Sequence, residues 1–500
     1  MILSYILHGH CPVYASEPTH PDALLHAKLM RDGASELLDV DVSSLTEHFA
    51  ASRLSYSTQA LSVNVLLDTL VRPSSDVEEG CGEPVTNLQW RHEPAMAVPH
   101  LVVGNASQPG GQWASDDLAN EEEGGSEDIQ TLSYGSMLSL PGYSYAEHHR
   151  RIMGNDLAPF SRPARREFSD YLRAYPKAVN IDSVFRCGEN VSGVYRMEEG
   201  GFHIRSHNIK CQRLVLASGI FSEPIAPPPL LEPLLPLHPA PESWPLLVIG
   251  SGFSAADAII AASPEQKIIH AFKWDPDGRP SPLHGCHQQA YPEYGGIYRL
   301  MKRWALSSES NQSLARSKRR ASLTPFLTSR NWDEIYEGLA NVQIVDVEML
   351  HDEEAALVTF RRQEDGSLFS RQVRGLVYAV GRRGNLDYLD HSLLSEVIEH
   401  PTVDVQSLRG KAYDDLQVAR DVFIIGSLTG DSLIRFAYGG CVYTAGKLIR
   451  AHAQLHSKPS MNTGPFRAKS PLAVNGIDGH FAVVSEGEQS VLREQYACSA

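Results

Sequence analysis

A glycine-rich turn at residues 250–252 has the residue types and spacing that bind phosphate groups. Gly250 and Gly252 flank Ser251, and Ala255 stands where a third small residue is expected. The first glycine permits a tight turn, the second lets a diphosphate approach the backbone, and the third small residue lets a helix pack closely on a strand. Free N–H groups at the start of the following helix favour an anion. The pattern therefore predicts a dinucleotide site, and the alternative is an ordinary strand-to-helix turn.

The neighbouring sequence predicts the elements that position this turn. Residues 246–249 form an apolar run typical of a buried parallel strand, and Ser254 opens an apolar, helix-favouring segment. A second strand follows, with Lys273 near its end, where a cation suits the 2′-phosphate of NADPH and an acid suits the ribose of NAD. This position favours NADPH. Because Asp275 lies only two residues further on, a solvated Lys273 without a ligand role is the alternative.

Three further segments combine a strand end with glycine or a carboxylate. Glu17 ends the first predicted strand, where a carboxylate can accept both hydroxyls of a ribose. Gly110-Gly111-Gln112-Trp113 allows close backbone approach beside an aromatic ring, and Gly430-Asp431 follows a predicted strand at 422–426. Taken singly, each segment is also compatible with a surface carboxylate or a simple turn.

Five signals occur in a defined order along the chain: glutamate after a strand, Gly-Gly-x-Trp, a strand ending in Ser-Gly, Gly-x-Gly-x-x-Ala and a terminal Gly-Asp. This order resembles the flavin-containing monooxygenases and, more closely, their oxidative stress-induced growth inhibitor branch. The similarity covers roughly residues 1–450 and is most specific at 430–440. The segments that carry it are 3–9, 16–21, 109–113, 291–294 and 430–436 with Gly439-Gly440.

The resemblance implies an α/β fold with two Rossmann-like, dinucleotide-binding domains, in which an FAD domain is interrupted by an NADPH domain. We expect residues 456–500 to be a disordered tail, within which 477–484 has the pattern of a short strand, and residues 332–340 to be helix-prone. The expected segments are an FAD-binding domain in two parts, 1–230 with an acidic loop at 115–129 and 376–455, a proline-rich connector at 231–245, and an NADPH-binding domain at 246–375.

In function, the resemblance implies an FAD- and NADPH-dependent oxidoreductase of the monooxygenase type, linked to oxidative stress, negative regulation of cell growth, cell differentiation and apoptosis. Two alternatives remain: a regulatory protein on a flavoprotein scaffold with little or no turnover, and a binding module that senses NADPH through the glycine turn alone. No catalytic acid or base is assigned. The implied FAD contacts are Glu17, Gly110, Gly111, Gln112, Trp113, Gly430 and Asp431, and the NADPH contacts are Gly250, Ser251, Gly252, Ser254, Ala255 and Lys273.

Departures from the family pattern keep these alternatives open. The chain begins at Met1 inside the family's first helix, so the strand and glycine turn that hold the FAD diphosphate do not precede it. This indicates a truncated form, a start chosen too late or a version without tight flavin binding. The F-x-G-x-x-x-H signature of N-oxygenating members is absent, and the acidic loop falls where relatives approach the flavin ring.

Composition narrows the classes of partner. The net charge is −16 over 500 residues and no basic stripe offsets it, which argues against nucleic acid. No apolar run approaches the roughly 18 residues of a transmembrane helix. The cysteines are scattered without a C-x-x-C pair, as in a reducing compartment, and no metal-ligand motif occurs. We expect a cytoplasmic protein, with mitochondrial association left open, whose substrate and regulatory partners the sequence does not identify.

Overall fold

The described chain divides into two units, one formed by residues 1–223 and 383–489, the other by the segment 224–382 between them. The domain boundaries expected from the sequence, after 230 and after 375, stay a prediction. The computed structural model describes residues 1–31, 36–52, 54, 56–57, 60–73, 85–113, 130–237, 244–286, 291–309, 325–350, 355–457 and 481–485. The whole of the acidic segment 115–129 lies outside the described residues.

Unit 1 is organised on a six-stranded sheet whose inner strands are parallel. The strand Phe481–Ser485, here called the central strand, lies between Leu101–Gly104 and Arg213–Leu216 and pairs in parallel with both. Residue Val483 is in register with Val102 on one side and Val215 on the other. The full strand order is Gln417–Ala419, Val422–Ile424, Arg213–Leu216, Phe481–Ser485, Leu101–Gly104 and Phe185–Arg186.

The central strand lies within the segment from residue 456 that was expected to be a disordered tail with one short strand. The helix before it continues to Ser457, and the strand pattern foreseen at 477–484 forms as Phe481–Ser485. Its apolar, β-branched composition suits a position between two parallel neighbours. Residues 458–480 and 486–500 lie outside the described residues.

The helices of unit 1 cover this sheet with apolar faces. The long helix Ala437–Ser457 packs against Ser62–Val71 and Ile2–Leu7. The close approach requires glycine, because a Cβ at Gly439 would collide with the Val63 carbonyl oxygen. The other helices are Ala23–Arg31, Val42–Thr46, Tyr145–Met153, Arg165–Ala178, His391–Val397 and Arg409–Asp414, and the remaining strands are His10–Tyr14, Leu88–His92, Val194–Arg196, Phe202–Ile204, Ile209–Cys211, Glu223–Pro224, Arg382–Asn385 and Thr402–Val403.

Unit 2 contains a four-stranded parallel sheet and an antiparallel meander. The parallel order is Tyr336–Ala340, Ile268–Phe272, Leu246–Ile249 and Leu376–Tyr378. The meander comprises Val342–Met349, Ala356–Arg362 and Leu368–Val373. The helices of this unit are Phe253–Ala261, Pro292–Glu309, Pro325–Thr328 and Trp332–Ile335.

One expectation for unit 2 was wrong. Residues 332–340 were expected to be helical, but helix is limited to Trp332–Ile335 and is followed by the edge strand Tyr336–Ala340. The backbone hydrogen bonds of Ile268–Phe272 favour the strand, a long-range contribution that local propensity does not contain. Within the expected proline-rich connector, Leu231 and Leu234 belong to the same buried apolar cluster as Phe360.

A search of the helices among the described residues finds no segment long and apolar enough to cross a membrane.

The pairing of the central strand predicts the effect of removing one backbone donor. Val483→Pro should lower the free energy of unfolding of unit 1 by roughly 3 kcal/mol, because proline removes an N–H from the sheet interior. Val483→Thr keeps the donor and the β-branch and serves as the control. Chemical denaturation of both variants checks this, and equal stabilities would contradict the pairing.

Candidate functional site

A cavity of about 300 Å³ in unit 1 lies where the carboxyl ends of its parallel strands meet. Gly104, Arg186, Ala217 and Ile425 line it, each at or directly after the end of a strand of the six-stranded sheet. In open parallel sheets, ligands bind outside the carboxyl ends of the strands, where the strand order reverses. The cavity volume is at the lower end of the usual range for small-molecule sites. This is the first candidate site.

The Gly-Gly-Gln-Trp segment forms one wall of this cavity. Gly110, Gly111, Gln112 and Trp113 all line it. Both glycines have positive φ, +130° and +56°, so the backbone conformation disfavours other residues. A Cβ at Gly111 would meet no atom within 4 Å, which leaves that side of the backbone open. The wall thus offers backbone without side-chain bulk to a ligand.

Asp431 also lines the cavity, but its carboxylate is already engaged by protein groups. One oxygen accepts hydrogen bonds from the Leu61 N–H at 2.8 Å and the Asn64 amide at 2.6 Å. The other oxygen pairs with the Arg409 guanidinium at 2.9 Å. The side-chain Oδ1 of Asn64 in turn accepts a hydrogen bond from the Gly440 N–H at 2.8 Å. Asp431 therefore joins two helices to the cavity wall, a role that its sequence position did not reveal.

Two predicted FAD contacts are not among the residues that line the cavity. Glu17 is exposed and lies beyond the end of the strand His10–Tyr14, which pairs antiparallel with Leu88–His92 in a separate two-stranded sheet. Its predicted ribose contact lacks support from this placement. Gly430 has φ +91°, and a Cβ at this position would collide with Arg409. The turn that presents Asp431 therefore requires glycine at position 430.

Several cavity residues were missed by the sequence reasoning. Arg186, Cys187, Ser218 and Ser427 line the cavity, and their one local signal is a position at or after a strand end. Burial, with a smaller effect of Glu189, raises the pKa of the Cys187 thiol. The thiol is therefore protonated at neutral pH and is not an activated nucleophile.

The second candidate site is the glycine turn of unit 2. Its strand Leu246–Ile249 and helix Phe253–Ala261 form as the sequence predicts. Gly250 has φ +147°, and a Cβ there would collide with the Ala379 carbonyl oxygen on the neighbouring chain segment. Its N–H donates to the Ala271 carbonyl at 3.0 Å. The fold itself thus requires glycine at position 250.

Packing places no comparable demand on Gly252. Its φ of −104° is accessible to any residue, and the nearest atom to an added Cβ is Pro282 Cγ at 4.0 Å. Gly252 is the N-cap of the helix and supplies no side-chain acceptor to the first N–H groups. Within the helix, Ala255 is fully buried, whereas Ser254 is exposed. The open space and the uncapped donors suit an anionic group at this end of the helix.

A buried histidine holds the turn in place. His270 lies inside the strand Ile268–Phe272, with its Nε2 2.6 Å from the Gly250 carbonyl oxygen and its Nδ1 2.7 Å from the Tyr336 hydroxyl. Because a carbonyl only accepts, Nε2 carries the proton and Nδ1 accepts from Tyr336. A polar residue within an apolar strand was the sequence signal that could have identified it.

Lys273 directly follows the same strand and is exposed. The nearby acid, Asp275, accepts a hydrogen bond from the Gly278 N–H at 2.9 Å and so stabilises its own turn. Of these two residues, the lysine is the one whose charged group has no hydrogen bond or ion pair with a described residue.

Comparison with known proteins gives relatives across most of the chain. It is 27% identical over 487 residues to human oxidative stress-induced growth inhibitor 1, covering 90% of this chain and 92% of that protein. It is 26% identical over 366 residues to human oxidative stress-induced growth inhibitor 2, covering 62% of this chain and 67% of that protein. The resemblance to this family is thereby confirmed. No family model matches the chain.

Among solved structures, the chain is similar to a flavin-containing monooxygenase from Stenotrophomonas maltophilia. The TM-score is 0.44 at 16% identity, and the alignment covers 71% of this chain and 99% of that structure.

The environment of His270 predicts acid sensitivity of unit 2. Burial, opposed by the hydrogen bond to Gly250, lowers the pKa of His270 to about 4. The folded state keeps the ring neutral while the unfolded chain takes up a proton, so stability falls as the pH drops from about 6.5 towards about 4. The loss is roughly 3 kcal/mol.

His270→Gln should flatten this dependence, because glutamine does not titrate and its amide can still donate to Gly250. His391→Gln, at an exposed position, should behave as the wild type. Urea unfolding at a series of pH values checks this, and identical pH dependence in all three proteins would contradict the assignment.

Proposed function

We propose that this protein is an FAD- and NADPH-dependent oxidoreductase of the monooxygenase type, acting in the oxidative-stress and growth-restraint setting that its relatives' names indicate. The observation that carries the proposal is the cavity at the carboxyl ends of the unit 1 strands, with Gly110-Gly111 backbone as one wall. FAD bound there would supply electron transfer to O2, and NADPH would supply the reducing equivalents. The chain's own residues bind and orient these groups.

The proposed FAD site fits this cavity through backbone and small polar groups. Gly111 leaves room for close approach, Trp113 offers an apolar surface, and Ser218 and Ser427 supply hydroxyls. Asp431 acts here by fixing the wall, because its oxygens are held by Leu61, Asn64 and Arg409. We assign Asp431 a positioning role in place of the direct contact with FAD that the resemblance implies.

The proposed NADPH site is the glycine turn of unit 2. Gly252 lacks a side chain at a position where packing would tolerate one, which supports close approach of a diphosphate. Gly250 and His270 hold the shape of the turn. Lys273 is placed to bind the 2′-phosphate, and the engagement of Asp275 in its own turn removes the competing acid.

A second candidate is a binding module that takes up NADPH without flavin turnover. The exposed position of Glu17 favours it, because this leaves the unit 1 cavity without the carboxylate expected for an adenosine ribose. Regulation of growth on a catalytically inert scaffold is a form of the same hypothesis.

The two candidates are separated by cofactor binding to the purified full chain. We expect FAD to bind with the shifted absorption bands of an enclosed flavin, and NADPH to bleach them under anaerobic conditions. Gly252→Asp should weaken NADPH binding at least tenfold and leave FAD binding unchanged, because its carboxylate repels the diphosphate by about 1.4 kcal/mol or more.

Gly410→Asp is the matched control, since a Cβ at Gly410 meets no atom within 4 Å. NADPH binding without any flavin uptake would favour the second candidate. Unchanged NADPH affinity in Gly252→Asp would remove the glycine turn from the proposal.

Lys273 should determine the preference between the two nicotinamide cofactors. Lys273→Ala should weaken NADPH binding about tenfold and leave NADH binding unchanged, because only NADPH carries the 2′-phosphate. Lys267→Ala should change neither affinity. It removes an exposed lysine that directly precedes the first residue of the same strand, whereas Lys273 follows the last one. Fluorescence titration of both cofactors checks this; parallel loss of both in Lys273→Ala would contradict it.

A further inference from the structure

Among the described side chains that line the unit 1 cavity, one positive charge lacks a compensating partner. Of the side chains that line it, Arg186 and Asp431 are the two that are charged at neutral pH. The negative charge of Asp431 is compensated by Arg409 at 2.9 Å, and both of its oxygens accept hydrogen bonds. Among the described side chains that line the cavity, the uncompensated charge therefore belongs to Arg186; the Met1 α-amino group also lines it, and burial lowers the pKa of that amine.

The guanidinium of Arg186 makes no hydrogen bond or ion pair with any residue that the structure describes. The acid nearest to Arg186 in the sequence is Glu189, and its Oε2 lies 3.0 Å from Nε2 of His207. Within the part of the chain that the structure describes, this half-buried guanidinium has five donors and no acceptor, whereas such groups usually find compensation. A ligand with an anionic group would provide it.

The backbone around Arg186 is well fixed. Its strand Phe185–Arg186 pairs in parallel with Leu101–Gly104. Beyond the strand, the Gly188 N–H donates to the Ala106 carbonyl at 2.7 Å, and the Glu189 N–H to the Gly104 carbonyl at 3.0 Å. These bonds hold Arg186 on the cavity wall next to the segment that leads to Gly110-Gly111. Such a position suits recognition of a bound group, since little order has to be created on binding.

We propose that Arg186 binds the anionic group of the ligand in this cavity, which for FAD is the diphosphate. The inference rests on the proposed function for the identity of the ligand, but the charge balance of the cavity stands apart from it. Arginine suits this role because its planar fork of donors matches phosphate oxygens. Neither the glycine motifs nor the strand pattern of the sequence indicated this residue.

The test compares ligands that share the flavin but differ in charge. The full chain, Arg186→Gln and Arg186→Lys are titrated with FAD, with riboflavin, which has no phosphate, and with inorganic pyrophosphate. Arg186→Gln should raise the Kd for FAD and for pyrophosphate about tenfold and leave that for riboflavin unchanged. Arg186→Lys should show a smaller loss, and added salt should weaken FAD binding more in the wild type than in Arg186→Gln.

Arg420→Gln is the matched control, because Arg420 is 89% exposed and does not line the cavity. Thermal unfolding of each variant identifies loss of folding, and Arg186→Lys retains the charge should the glutamine variant be unstable. FAD affinity that is the same in Arg186→Gln and the wild type, or riboflavin affinity that falls in parallel with FAD, overturns the inference and leaves the proposed function standing. Wild-type protein that binds pyrophosphate through Arg186 but takes up no flavin supports the inference and overturns the proposed function.

Discussion

The unit 1 sheet depends on parallel pairing of the central strand Phe481–Ser485 with neighbours on both sides. Without it, Leu101–Gly104 and Arg213–Leu216 would each present an unpaired inner edge, and buried backbone groups left without partners are costly. The strand ends that line the cavity lie on both sides of this seam. The strand pairing that completes the sheet therefore also brings together the strand ends that line the cavity, although these strands lie hundreds of residues apart in the chain.

Buried polar groups extend this order from the sheets to the candidate sites. In unit 1, Asp431 links the cavity wall to Asn64 and Arg409. In unit 2, His270 connects Tyr336 to the Gly250 carbonyl. Each cluster is satisfied within the protein, and a satisfied buried network favours one arrangement over its competitors. Both act on a turn that faces a candidate ligand, so these residues position the sites without needing to touch what binds there.

Local pattern was sufficient where a short segment contains its own explanation. The apolar run before Gly250, the two glycines and the helix-favouring residues from Ser254 predict strand, turn and helix, and all three form. It was insufficient at 332–340, where the neighbouring strand Ile268–Phe272 stabilises an edge strand in a helix-prone segment. It was also insufficient at Glu17, because the sequence does not reveal that its strand pairs with Leu88–His92 outside the parallel sheet.

The sequence by itself determined the class of fold and the motifs that point to dinucleotides, because glycine spacing, strand composition and helix propensity act over a few residues. Tertiary structure alone decided which residues share a site. It brought Arg186 and Asp431 to one cavity, left Glu17 outside it and seated residues 481–485 at the centre of the sheet. Such placement depends on pairing and charge compensation between distant segments, and the energies of those contacts do not exist until the chain has folded.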